Sequence, residues 1–470
     1  MAQDESLKKY TLLVVAMSSF LTPFMGSAVN LAIPSIGKEF DSSAILLSWV
    51  VTSYLLASAA FLVPFGRLAD IVGRKKIFLA GMLVFSLSSL LCGFARSIEA
   101  LIVFRILQGV GSAMVFGTGM AILTSVFPPQ ERGRVLGITV ATVYTGLSLG
   151  PVLGGFMNHN LGWQSIFYFS FLMGLFVVFF TSSQLKGEWA GARGESYDKV
   201  GAALYSVGLV MFMYGMSSIA TVSWAAYVLL LGLIVMAVFI RYEMGVEHPV
   251  LNIRLFSRNM TFAFSNLAAL INYSATFAVG FVLSLHLQVV MGYNSQTAGL
   301  ILLSQPVVMA LLSPFAGKLS DRVEPRVVSS WGMALTTAGL LFFCFLTGST
   351  PIWMVVLNLA PLGTGFALFS SPNSNAVMGS VEKRFYGVAS STLGTMRLTG
   401  QAISMAVVTL IIALFVGNVK LSPAYSELLI KSARMAFAVF TVLCLGGIFA
   451  SLARGNVIGG APSRNIGGKG

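Results

Sequence analysis

Apolar segments of about 20 residues recur from end to end of the chain, and short polar stretches separate them. Each segment could cross the ~30 Å hydrocarbon core of a bilayer as an α-helix, whereas β-barrel strands are about half as long and alternate in polarity. The pattern therefore predicts an all-α polytopic membrane protein with about 14 transmembrane helices. The predicted segments are 11–33, 45–65, 77–95, 99–121, 134–157, 163–183, 199–219, 224–241, 261–285, 297–316, 327–347, 351–373, 386–413 and 432–453.

Composition places lipid, not water, around most of the chain. The hydrophobic fraction is 56% and the charged fraction 10%, against roughly half and a quarter in a soluble domain. The first residues, MAQDESLKKY, lead into an apolar run without an A-x-A cleavage site, which indicates a retained first helix. The three cysteines lie in apolar segments, so neither disulfides nor a metal site are expected. No catalytic carboxylate pair or nucleotide-binding loop is recognisable, so we expect neither enzymatic activity nor a cofactor.

The net charge of +13 comes mainly from one set of loops. No segment forms a basic domain, so nucleic acid is not an expected partner. Most of the 29 lysines and arginines lie on the side that holds the N-terminus, and Arg454, after the last predicted segment, belongs to this set. The positive-inside rule therefore predicts a multi-pass protein of the cell membrane with both termini in the cytoplasm, beside anionic lipid.

A charged stretch, FGRLADIVGRKK (65–76), separates the second and third segments and predicts a short cytoplasmic loop. The sequence FAGKLSDRVEPR (315–326) resembles it, and Gly66 and Gly317 are separated by 251 residues, as are Asp70 and Asp321. Such duplication is a signature of secondary transporters whose substrate site lies between two halves. It predicts an N-terminal six-helix half (1–183), a linker with two extra helices (184–260), and a C-terminal half with a short tail (261–470).

Several motifs in order resemble those of the major facilitator superfamily, in particular its fourteen-helix drug:proton antiporters. They are GRLADIVGRKK after the second segment, RILQGVGSA (105–113) in the fourth and GLSLGPVLGG (146–155) in the fifth. The resemblance implies the major facilitator fold and secondary transport by alternating access, and it covers nearly the whole chain.

The charged motif and its echo are expected to form a conformational latch. Glycine permits close backbone approach, and an aspartate can cap a helix and pair with arginine, which could hold the two halves together in one state. The alternative is that these charges only direct membrane topology. The latch candidates are Gly66, Asp70, Gly73, Arg74, Gly317 and Asp321.

The fourth-segment motif contributes Arg105, Gln108 and Gly109, and an arginine at membrane depth normally faces the protein interior. We expect Arg105 to face a central cavity and to handle substrate or protons, the alternative being a structural role. In the fifth segment, small residues four apart allow tight packing, and Pro151 removes a backbone hydrogen bond. This motif could be ordinary packing or the seam that rearranges during transport. Its residues are Gly146, Gly150, Pro151, Gly154 and Gly155.

One departure from the family pattern bears on substrate charge. Met25 stands where the antiporters usually have an aspartate, and all sixteen acids lie in loops or at segment ends. The sequence therefore favours neutral or anionic lipophiles over cations. His286 lies at the outer end of the ninth predicted segment, either as a proton carrier or as a hydrogen-bonded structural residue. The candidates for the substrate or proton pathway are Asn30, Tyr144, His286, Gln305, Asn373 and Arg397.

Together these features predict a secondary active transporter that exports lipophilic small molecules in exchange for protons or another coupling ion, in the manner of multidrug efflux proteins. The alternative is a narrow-specificity metabolite exporter or a lipid transporter of the same fold. We expect it to act as a monomer.

Overall fold

The computed structural model describes residues 2–320, 322–381, 386–417, 419–420 and 422–455. Almost all of this chain is helical, apart from one isolated β-bridge between Ser43 and Lys420. The helices are α1 (Ala2–Phe40), α2 (Ala44–Val72), α3 (Arg74–Gly93), α4 (Ile98–Val126), α5 (Pro129–Leu161), α6 (Gln164–Gln184), α7 (Lys199–Ser218), α8 (Ala225–Glu243), α9 (Ile253–Arg258), α10 (Met260–Thr276), α11 (Val279–Leu285), α12 (Ser295–Leu302), α13 (Ser304–Ser320), α14 (Pro325–Phe343), α15 (Ile352–Gly379), α16 (Tyr386–Phe415) and α17 (Ser426–Ala453).

The predicted transmembrane helices are confirmed. Thirteen helical segments of the described chain are long and apolar enough to cross a membrane. The fourteenth predicted segment lies in α5, a continuous helix of 33 residues that packs along α1. The charged stretch 65–76 is helical except at Gly73, so it is a one-residue junction between α2 and α3 and not a loop.

Two predicted helices are interrupted. The segment predicted as 261–285 is divided into α10 and α11, and it continues beyond the predicted end in a π-helical turn, His286–Val290. The backbone N–H of Ala278 donates to the Ser404 hydroxyl of α16 at 3.1 Å, which replaces an intrahelical bond. The segment predicted as 297–316 breaks at Leu303 between α12 and α13. Pro306 explains that break, since it has no N–H for the carbonyl four residues earlier.

The helices form two groups with an extra pair beside them. Helices α1–α6 pack on one another, and we call them the N-terminal helices; α10–α17 do the same and are the C-terminal helices. Helices α7 and α8 pair, and α7 also contacts α2 and α16. Tyr205 and Ser206 on α7 donate to the carbonyls of Ala59 and Ala60, at 3.2 and 2.8 Å. The extra pair therefore covers the seam between α2 and α16.

We name the two ends of the bundle by their content. The motif end holds Gly73 between α2 and α3, and the opposite end holds the α1–α2 turn, residues 41–43. Between described residues, hydrogen bonds that join N-terminal to C-terminal helices lie at the opposite end or at mid-depth.

Candidate functional site

A row of contacts joins the N-terminal and C-terminal helices at the opposite end. Ser284 donates to the carbonyl of Asn30 at 2.7 Å, and Gln288 donates to that of Leu31 at 3.2 Å. At the neighbouring seam, Thr52 on α2 lies 3.2 Å from Thr409 on α16. These contacts are short and partly backbone-mediated, so they close this end in the observed conformation.

The glycines of the α5 motif are divided between two helix faces. Gly154 packs on α1, where a Cβ would come within 2.6 Å of Ala28, and Gly146 and Gly150 share that face. Gly155 faces α12 instead, and Ser295 donates to its carbonyl at 3.1 Å. A Cβ on Gly299 of α12 would overlap with the carbonyl oxygen of Pro151. One face is thus ordinary packing within the N-terminal helices, and the other face is the seam between the two groups.

At mid-depth, four polar side chains from four different helices lie close together between the two groups. Tyr144 on α5 donates to Ser370 on α15 at 3.4 Å. The guanidinium of Arg397, on α16, lies 5.3 Å from the ring centre of Tyr273 on α10. The Tyr273 ring also packs edge-on against Phe366 of α15, one turn before Ser370, with ring centres 5.5 Å apart. This mid-depth cluster includes two of the predicted pathway residues, Tyr144 and Arg397.

Arg105 is not part of that cluster, so the expectation that it faces a central cavity is wrong in this conformation. It is completely buried among the N-terminal helices. Its Nε donates to the carbonyl of Val50 at 3.0 Å, its Nη1 bonds to Gln108, and its guanidinium lies 4.2 Å from the Tyr54 ring centre. Gln108 continues the network to Ser89 at 2.6 Å. Gly109 lets α4 approach α2 here, because a Cβ would overlap with the Tyr54 carbonyl.

At the motif end, Asp70 and Arg74 form an ion pair at 2.7 Å across the α2–α3 junction. Arg74 also donates to the Ser125 hydroxyl at 2.6 Å and to the Ala121 carbonyl at 3.1 Å, both on α4. Gly73, at φ +134°, provides a backbone conformation that other residues rarely adopt. The pair therefore fixes α2, α3 and α4 relative to one another.

A surface segment between α6 and α7 (residues 185–198), which we call the strap, lies over this junction. Glu188 accepts the N–H of Lys75 at 2.8 Å, and the carbonyl of Trp189 accepts the N–H of Arg74 at 2.8 Å. The N–H of Ala192 donates to the carbonyl of Asp70 at 2.9 Å. The motif thus contacts the segment that leads to the extra helix pair.

A second ion pair fastens the far part of the strap. Glu195 bonds to Arg67 on α2, and His248 lies 3.2 Å from the same carboxylate. The Arg67 hydrogen bond holds the pKa of Glu195 below its ordinary value. The carboxylate is therefore ionised at neutral pH, and the pair is intact.

The other latch residues differ from expectation. A Cβ on Gly66 would itself meet nothing within 4 Å, although α4 approaches the backbone here, since a Cβ on Gly117 would lie 3.4 Å from the Gly66 Cα. Gly317 lies beside Ser371: a Cβ on Gly317 would be 3.0 Å from the Ser371 hydroxyl oxygen. Asp321 lies outside the described residues.

Of the remaining pathway candidates, two lie away from the seam. Asn373 accepts a hydrogen bond from Arg454 at 2.8 Å and donates to the Ser265 carbonyl at 3.1 Å, all within the C-terminal helices. Arg454, which we counted as a loop residue, is 1% exposed. His286 lines an apolar cavity between α11, α16 and α17. It therefore faces away from α1, whereas Ser284 and Gln288 face it.

Asn30, Gln305 and Met25 occupy three different environments. Asn30 lies at the closed end, and its Oδ1 has no hydrogen-bond partner among the described residues. Gln305 is half-buried at the start of α13. Met25 is fully buried and its sulfur accepts from Ser170 on α6 at 3.0 Å, so the position where the antiporters have aspartate does not line the mid-depth cluster.

Sequence reasoning missed the strap and Arg454. A signal for the strap was available, because Glu188 and Glu195 are two of only 16 acids and lie on the side of the basic motif. No comparable signal existed for Arg454, since an arginine directly after an apolar segment is typical of a cytoplasmic loop.

The chain is similar to known transporters over most of its length. The profile of the Major Facilitator Superfamily matches residues 15–246 and 266–463. The riboflavin transporter RibZ of Clostridioides difficile is 29% identical, over 85% of this chain and 87% of that protein. The multidrug resistance protein Stp of Mycobacterium tuberculosis is 30% identical, over 86% of this chain and 75% of that protein.

A solved structure shows the same fold. A bacterial homologue of the human lysosomal transporter Spinster has a TM-score of 0.68 at 17% identity, over 95% of this chain and 97% of that one. With the family profile matching both groups of helices, the chain belongs to the Major Facilitator Superfamily and is a membrane transporter.

Proposed function

We propose that this protein exports lipophilic small molecules from the cytoplasm by alternating access. The supporting observation is the asymmetry of the contacts between the N-terminal and C-terminal helices. Described residues join them at the opposite end and at mid-depth, and the positive-inside rule assigns the motif end, with both termini, to the cytoplasm. On this assignment the mid-depth cluster loads from the cytoplasmic side.

The proposed cycle uses two of the features described above. Separation of Gly155 from Ser295 would open the outer end, because those contacts are short and involve only one face of α5. The Asp70–Arg74 pair would keep α2, α3 and α4 together as a unit during that movement. The strap would transmit the movement to the extra helix pair.

Proton coupling is part of the proposal, although the helices hold no carboxylate at mid-depth among the described residues. Glu243, the last residue of α8, is buried and accepts the N–H groups of Val250 and Leu251 at 3.3 and 3.4 Å. That carboxylate closes a turn at the motif end, so it is a structural group. In this protein the coupling proton must therefore bind to groups other than the helix 1 aspartate of the antiporters.

A narrow-specificity metabolite exporter is the second candidate. Its support is the similarity to a protein named as a riboflavin transporter, beside another named for multidrug resistance. The two candidates differ in how many unrelated lipophiles they would carry.

Transport by purified protein in sealed proteoliposomes tests both. Accumulation of several structurally unrelated lipophiles, dependent on an imposed pH gradient, is expected. Transport of a single compound class would favour the metabolite exporter. Transport that is unchanged when the pH gradient is collapsed would contradict proton coupling. Absence of any transport for cationic, neutral and anionic lipophiles would contradict the export proposal.

A further inference from the structure

Arg397 holds a positive charge at mid-membrane depth, and its guanidinium lies over the face of the Tyr273 ring. It lies near the middle of α16, and it makes no hydrogen bond or ion pair with any described residue. Its side chain is only partly buried. Because an arginine in a membrane normally pairs with carboxylates, carbonyls or water, this guanidinium is available to a ligand.

The other two arginines inside the helix bundle differ in this respect. Arg105 bonds to a carbonyl and to Gln108, and it stacks on the Tyr54 ring. Arg454 bonds to Asn373 at 2.8 Å and to the Ser451 hydroxyl at 2.5 Å. Both are essentially inaccessible, so their charges stabilise the fold. Arg397 therefore has a role that the fold alone does not explain.

The neighbours of Arg397 place it between the two groups of helices. One turn before it, a Cβ on Gly394 would lie 3.4 Å from Phe116 of α4, across the seam. One turn after it, Gly400 packs closely on α10, where a Cβ would lie 2.9 Å from Tyr273. Tyr144 on α5 bonds to Ser370 of the neighbouring α15. One aromatic ring, Tyr273, therefore packs on the cation, and Phe116 and Tyr144 lie on helices of the other group.

We infer that Arg397 binds an anionic group, a carboxylate or sulfonate, on an aromatic or otherwise lipophilic substrate. A guanidinium binds such groups through two parallel hydrogen bonds, and no described carboxylate competes for it. Tyr273 and Tyr144 would contact the apolar body of the substrate, and their hydroxyls would supply further hydrogen bonds. The inference rests on the proposed function, because it assigns a substrate class to the same mid-depth cluster.

Three probes that share one ring system and differ in charge test the inference. They are naphthalenesulfonate, naphthol and a naphthyl trimethylammonium ion. Binding to purified protein is measured by tryptophan fluorescence quenching, separately from transport in proteoliposomes. The variants are Arg397→Gln, which removes the charge, and Arg397→Lys, which keeps it. Arg96→Gln, an exposed arginine at the opposite end, is the matched control. Unliganded thermal melting establishes that each variant is folded.

The sulfonate should bind most tightly to the unaltered protein. Arg397→Gln should weaken sulfonate binding by about tenfold or more, since it removes the charge-assisted hydrogen bonds to the sulfonate. The affinity for naphthol should not change, and Arg397→Lys should recover only part of the loss. Arg96→Gln should bind all three probes as the unaltered protein does.

Equal losses for the three probes in Arg397→Gln would overturn the inference, and so would tightest binding of the ammonium ion or no binding of the sulfonate. Arginine-dependent binding of the sulfonate without transport would support the inference and contradict the proposed export. The two failures are therefore distinguishable.

Discussion

Gly155 of α5 and Ser295 of α12 contact each other across the seam between the N-terminal and C-terminal helices. The Ser295 hydroxyl donates to the Gly155 carbonyl at 3.1 Å, and a Cβ on Gly155 would overlap with the carbonyl oxygen of Ser295. The neighbouring Gly154 faces α1 instead. The C-terminal helices thus leave no room for a side chain at Gly155.

Replacing this glycine should shift the conformational equilibrium. We expect Gly155→Leu to open the opposite end, because the side chain cannot fit against Ser295 without separating α5 from α12. Spin labels at Asn160 and Ser349, both exposed at that end, should report a longer distance in the variant. Gly446→Leu is the control, since a Cβ there meets nothing within 4 Å. An unchanged distance distribution would show that the contact does not set the conformation.

Removing the carboxylate of the motif should impair transport and spare folding. Asp70→Asn loses the ion pair that holds Arg74 against Ser125 of α4. A charge-assisted pair contributes roughly 1.5–3 kcal/mol, so we expect about a tenfold or larger loss of transport rate. Uptake rate per folded molecule is the measurement. Glu247→Gln is the control, because that carboxylate is exposed and should contribute little. Full transport by Asp70→Asn would leave the motif with a topological role alone.

The buried arginine of α4 should prove structural. Arg105→Ala leaves the Val50 carbonyl and Gln108 without their donor, at a cost of about 1–3 kcal/mol in unfolding free energy. Arg105→Lys should recover little, because an ammonium cannot reproduce the planar fork. Thermal melting in detergent and transport per folded molecule are to be measured on one preparation, with Arg96→Ala as the exposed control. A stable but inactive Arg105→Ala would instead indicate a role in substrate or proton handling.

The attachment of the strap should depend on pH in a defined direction. The Arg67 hydrogen bond lowers the pKa of Glu195, so its contribution is present above the unfolded pKa and is lost as pH falls through the folded pKa. At neutral pH, Glu195→Gln should increase hydrogen exchange in residues 185–198. Acidification below the folded pKa should bring the unaltered protein to the level of the variant. Glu247→Gln, an exposed carboxylate nearby, should exchange as the unaltered protein does. Equal exchange in Glu195→Gln and the unaltered protein at neutral pH would mean that other contacts hold the strap.

The sequence determined the fold class and most of the helices by itself. Hydrophobic length is a local property, since each membrane helix must satisfy its own backbone hydrogen bonds and cover its own span of hydrocarbon. That is why fourteen segments could be recognised without knowledge of their neighbours. The break before Pro306 was also encoded locally, in a residue that lacks an N–H.

Only the tertiary structure decided which polar residues are available for chemistry. Arg105 and Arg397 are both arginines inside apolar segments, yet the first donates hydrogen bonds to Val50 and Gln108 and is completely buried, whereas the second is only partly buried and its Nε has no partner among the described residues. The interruption of α10–α11 likewise depends on Ser404, more than a hundred residues away. Pairing and accessibility depend on which helix faces which, and the order of apolar and polar residues along one helix does not contain that information.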